Sequence, residues 1–208
     1  MKRTTTATGF LTLLAMLVLG AFSAGSASAV SQFLWTGPLP ALGLVLSENT
    51  QFFKAVPGGT PAVTCKHFGG HGIVSNGKAM TTKEITITGQ YSKCETLGIA
   101  TKVTPAEFLL NADGSVSVVG KPIVISIGGV ANCSLKIETG PSNENLKTIK
   151  FLQDALNAGA ITAHVEIKGI TSLGSGGECG TAGLEQKEGE YRGLLLASVD
   201  GGTIRWDP

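Results

Sequence analysis

Lys83–Cys94 reads KEITITGQYSKC. Ile85, Ile87, Gly89 and Tyr91 alternate with Thr86, Thr88 and Gln90, the period-two pattern of a strand with one face buried. The strand ends in a cysteine. Upstream, Pro61–Cys65 is another strand-like stretch that ends in one, and Cys133 and Cys179 repeat the arrangement further on. The same alternation places Cys133, Leu135 and Ile137 on one face, opposite Ser134, Lys136 and Glu138. In Thr162–Lys168 it sets Ala163, Val165 and Ile167 against His164, Glu166 and Lys168. Ile123, Ile125 and Ile127 share a third such face.

Turn compositions punctuate these runs. Pro57-Gly58-Gly59 joins Gln51–Val56 to Ala62–Cys65, and Asn76-Gly77 is a two-residue hairpin signal. Asn111-Ala112-Asp113-Gly114 separates Phe108–Leu110 from Ser115–Val119. Tyr191–Val199 and Thr203–Trp206 read as a closing hairpin that turns at Asp200-Gly201-Gly202. Leu146–Ala158 has mixed spacing and is read as a strand, LKTIKFL, followed by a loop, with a short helix from Asn145 as the alternative. Gly174–Gly189, rich in glycine and holding Cys179, is read as a long loop. The pattern predicts an all-β domain, an antiparallel two-sheet sandwich of about ten strands, with a closed or partly open β-barrel as the alternative.

The first 29 residues read as a secretory signal. Lys2 and Arg3 precede the apolar run Phe10–Phe22, and Ala27-Ser28-Ala29 is a small-residue exit. Thirteen residues fall short of the ~20 that span a bilayer. Residues 30–208 are then one secreted β-domain with no membrane span. Within it, 30–50 is read as a first strand with a proline-containing loop, an interaction arm being the minority reading. The chain has 16 Lys and Arg against 15 acids, and two of the cations leave with the signal. A net charge near −1, with the cations scattered, offers no footprint for nucleic acid.

Four cysteines in an exported chain predict two disulfides. Three pairings are open. Cys65–Cys94 and Cys133–Cys179 are favoured because each joins neighbours in sequence.

Constellations that carry chemistry are weak. Cys65, His67 and His71 resemble a ligand cluster, but Gly69-Gly70 argues against the helix that would align the histidines, and they are read as loop residues. Leu173-Gly174-Ser175-Gly176-Gly177 lacks the first glycine of a nucleophile elbow. Glu178, Glu185, Glu188 and Glu190 read as a solvated acidic loop. Asn111-x-Asp113-Gly114 has only the tail of a calcium loop, and Asn132-Cys133-Ser134 is a sequon beside a cysteine expected to be buried. Trp35, Tyr91 and Trp206 are read as core partners rather than a ligand surface. No catalytic, metal or cofactor residue is assigned.

YSKC (91–94), NCSLKI (132–137), KGITS (168–172), GGECG (176–180) and EYRGLLLASVDG (190–201) together resemble a group of secreted, cysteine-containing β-proteins encoded in many copies in some soil actinobacteria. The resemblance covers about Cys65–Gly201. It departs from members with extra cysteines and implies no activity. The expected function is therefore a non-enzymatic secreted or cell-surface β-domain that binds or coats an extracellular or envelope partner. An extracellular carrier of a small apolar ligand in a barrel cavity is the alternative, and a secreted hydrolase is the third reading.

Overall fold

The computed structural model describes residues 31–37, 41–47, 50–55, 62–75, 81–128, 133–147, 149–153, 159–176 and 183–208, with the backbone alone for 41–47 and 73–75. Residues 31–208 form one compact unit. The expected signal, the turns at 57–59 and 76–77, and Cys179 lie outside the described residues.

The chain is all-β. In order, the strands are β1 (Gln32–Thr36), β2 (Ala41–Ser47), β3 (Gln51–Lys54), β4 (Val63–Ser75), β5 (Thr81–Thr82), β6 (Glu84–Thr96), β7 (Ile99–Val103) and β8 (Ala106–Asn111). They continue as β9 (Ser115–Val119), β10 (Ile123–Ile127), β11 (Ser134–Ile137), β12 (Leu146–Lys147), β13 (Ile149–Gln153), β14 (Ala160–Ser175), β15 (Glu185–Val199) and β16 (Thr203–Asp207).

Thirteen of these segments belong to one sheet, and that sheet closes on itself into an eight-stranded barrel. The predicted sandwich is thus corrected to its barrel alternative. Short strands run end to end and share neighbours. β2 and β3 both lie between β15 and β4, while β7 and β8 both lie along β6. β9 pairs with β8 and β10 with β7. β11 and β12 pair in turn with β10 and β9, and β11 and β13 both pair with β14. The result is eight antiparallel staves in an up-and-down meander, sealed where β15 meets β2 and β3. The breaks fall at residues unsuited to a continuous ladder, Thr104-Pro105 between β7 and β8 and Gly120-Lys121-Pro122 between β9 and β10.

Alternation decides which side is core. Ile85, Ile87 and Gly89 are buried and Thr88 and Gln90 exposed, as the opening stretch predicts. Cys133, Leu135 and Ile137 are buried, as are Ala163, Val165 and Ile167, while His164, Glu166 and Lys168 are exposed. Strict alternation from Tyr91 would turn Cys94 outward. Lys93, at φ 52°, resets the phase, so that Cys94 is buried too.

The β8–β9 turn is held by Asp113. Its Oδ1 accepts from Ser115 N (2.9 Å) and Ser115 Oγ (2.7 Å), while Gly114 takes φ 84°. These bonds hold the Asp113 carboxyl below its ordinary pKa. A short 3-10 turn, Pro141–Asn143, bridges the gap between β11 and β12. The Asn143 side chain is fully buried. Its Nδ2 donates to Glu138 O (2.8 Å) and Thr171 O (2.9 Å), and its Oδ1 accepts from Thr171 N (2.8 Å). The amide thus replaces ladder bonds missing from that stave.

A separate three-stranded sheet, β16-β1-β5, closes one end. β1 pairs with β16 from Gln32↔Asp207 to Thr36↔Thr203. The predicted β15–β16 hairpin is therefore corrected. β15 already has β14 on one edge and β2 and β3 on the other, so a closed barrel leaves β16 no edge. The chain turns away at Gly202, where a Cβ would overlap the Thr36 carbonyl oxygen. Phe33, Trp35 and Ile204 are buried beneath the cap. Phe33 meets Phe151 edge-on at 5.1 Å, and Trp206 Nε1 donates to Ala112 O (2.9 Å). Both tryptophans are thus core partners, and β1 and β2 are integral to the domain.

Two smaller expectations also change. His67 and His71 lie within β4 rather than in a loop, and Glu185–Gly189, expected as loop, begins β15.

Candidate functional site in the barrel interior

Cavities follow from how the staves are filled. In the capped half, Phe33, Phe151, Leu110 and Ile204 close the interior to a void of about 20 Å³. A second void of about 20 Å³ lies mid-barrel beside Phe68 and Val165. A third space, about 60 Å³ and larger than either, is in the half away from the cap. Val103, Ile123, Ile125, Ile137, Ile167 and Ile170 form its aliphatic wall, and Phe53 and Phe108 add aromatic faces.

Among the described residues, its only hydrogen-bonding side chains besides the bonded Cys65 are Gln51, Tyr91 and Tyr191, and none of its lining is charged. Gln51 is inward on β3 and 1% exposed. Opposite it on β15 is Gly193, where a Cβ would overlap Gln51 Oε1. Gly193 therefore leaves the carboxamide its room. Tyr191 OH donates to Gln51 Oε1, and Gln51 Nε2 donates to Leu194 O at 3.4 Å. The Tyr91 and Tyr191 hydroxyls are hydrogen-bonded to each other. The one Tyr191 proton is committed to Gln51, so Tyr91 supplies the proton of the second bond. Burial raises both phenols well above their ordinary pKa. The rings stack edge-on at 6.2 Å, and Phe68 backs Tyr91 at 4.8 Å.

The disulfide is part of this wall. Cys65 and Cys94 are direct partners on β4 and β6 and form a bridge, and Gln51 pairs in register with Cys65. The expected Cys65–Cys94 pairing is present. The other expected bridge, Cys133–Cys179, includes a residue outside the described set, and no described cysteine is free.

The remaining singled-out residues do not converge. His71 and His164 are exposed on outer faces, and no group of His, Cys, Asp or Glu among the described residues is placed to hold a metal. Glu185, Glu188 and Glu190 run along β15, with half-buried Glu190 in an ion pair with Arg192 at 3.6 Å. Ser175 Oγ lies 2.6 Å from Ser134 Oγ on the neighbouring stave. Tyr91 was placed inward by the alternation, but Gln51 and Tyr191 were not singled out. Their signal is faint. Gln51 is a polar residue in phase with Phe53, and Tyr191 gains meaning only once β15 is known to face β3.

In comparison with known proteins, no family model, curated protein or solved structure matches the chain.

Proposed function

We propose that the protein is an exported, non-enzymatic binding barrel that takes a small apolar molecule into its uncapped half. The observation that carries this is the cavity itself: aliphatic and aromatic walls, with one hydrogen-bonded trio of Gln51, Tyr91 and Tyr191 as polar handle. Binding pockets generally combine apolar lining with a few placed polar groups. Size limits the occupant. At about 60 Å³ the space is smaller than the ~150 Å³ void known to admit benzene, so the ligand is slender or the side chains repack around it.

Charge placement favours an aqueous exterior. Lys150, His164, Glu166 and Lys168 project outward mid-stave while the apolar set points in, the reverse of a lipid-facing barrel. No helix among the described residues is long and apolar enough to cross a membrane. The intramolecular disulfide fits an oxidising compartment. The exported location and the resemblance to secreted actinobacterial β-proteins belong to this same proposal.

The test is uptake. Methyl-resolved NMR of the protein with hexan-1-ol should shift Ile123, Ile125, Ile137, Ile167 and Ile170 together, saturably. Shifts confined to outward residues, or none, would return the protein to a coating or adhesive role.

A further inference from the structure

The lining says what charge the ligand carries. We infer that the interior site selects an uncharged molecule with a hydroxyl or similar polar head, and rejects its carboxylate and ammonium counterparts. This rests on the interior-binding reading above and sharpens it to a chemical class.

None of the described residues lining the cavity carries a formal charge. The described β6–β7 turn, Leu97-Gly98, is uncharged as well. Among the described lining residues a carboxylate drawn inside would meet no cation, and an ammonium no carboxylate. An ion buried without a partner is strongly disfavoured.

The polar handle is matched to a neutral head. In the chain Tyr91→Tyr191→Gln51→Leu194 O each donated proton has a protein acceptor. Tyr91 donates to Tyr191 and accepts from none of the described residues, so its oxygen keeps acceptor capacity for a ligand O–H or N–H. A carboxylate can only accept, so binding one would require breaking the relay. The phenols do not help by ionising, because burial keeps both protonated through the ordinary pH range. Gly193 and the fully buried Gln51 fix the relay against β15, so the handle is preformed rather than recruited.

The experiment compares three probes of equal chain length, hexan-1-ol, hexanoate and hexylammonium, by calorimetric titration of the disulfide-bonded protein at neutral pH. Hexan-1-ol is expected to bind about 100-fold or more tightly than either ion. Tyr91→Phe removes the accepting oxygen and should lower hexan-1-ol affinity about tenfold relative to hexane, both followed by the same isoleucine methyls. Should a variant fail to fold, the wild-type comparison of the three probes stands alone as the test. Hexanoate or hexylammonium binding as well as the alcohol would overturn this inference and leave the binding-barrel reading in place. Failure of all three probes and of hexane would remove both.

Discussion

The chain has two tyrosines, Tyr91 and Tyr191, and both line the cavity. Alkali is therefore a clean probe of the interior. In the unfolded chain each phenol ionises near pH ~10. In the folded protein burial holds both well above that. Below the unfolded value both states keep their protons, and this contribution to stability is fully present. Above it the unfolded chain binds fewer protons, so stability falls with pH until the folded values are reached. With two phenols the slope approaches about 2.7 kcal/mol per pH unit, or about 1.4 for each. Urea melts between about pH 8 and about pH 11.5, with tyrosinate absorbance followed alongside circular dichroism, read this directly. Subtracting the melts of a Tyr91→Phe/Tyr191→Phe variant isolates the phenols from every other titrating group, and each single variant should halve the slope. Tyrosinate should appear only as the sheet signal is lost. Ordinary titration of either phenol with the sheet intact would mean that water reaches the trio, and the description of the site would fail.

Two further outcomes are expected. Replacing Cys65 and Cys94 together with alanine opens a closure of 29 residues and should cost about 3.5 kcal/mol in urea melts, with an unchanged far-ultraviolet spectrum; a loss under about 1 kcal/mol would contradict the bridge's role. Asn143→Ala removes three bonds at a fully buried amide, two of them to the Thr171 backbone, so a loss of about 3 kcal/mol is expected, with hydrogen exchange accelerated first at Thr171.

The inward and outward faces were legible because alternation is a local signal. Ile85, Ile87, Ala163, Val165 and Leu135 declare themselves within a few residues. Closure is not local. A sandwich and a barrel share the same period-two pattern and differ only in whether the last stave finds the first. Here that contact is β15 with β2 and β3, about 150 residues away in sequence. Staves interrupted at Thr104-Pro105 and Gly120–Pro122 also looked like separate short strands. The Asp200-Gly201-Gly202 turn had the composition of a hairpin, but turn chemistry cannot report that both edges of β15 are occupied. The Cys65–Cys94 bridge was legible as a pair. Its place in the cavity wall was not, because Lys93 shifts the phase of β6 and only the backbone reveals it. Gln51 escaped notice for a related reason: one polar residue beside Phe53 is unremarkable until Gly193 is found across from it.

The pairing of Gln32 with Asp207 brings the first and last strands together, side by side and pointing opposite ways. Tension applied through the two ends would therefore part β1 from β16 one rung at a time, from Gln32 toward Thr36, as a zip opens. The barrel would stay shut, since none of its staves carries the load. Stretching the molecule should bare the aromatic underside of its lid long before the interior gives way.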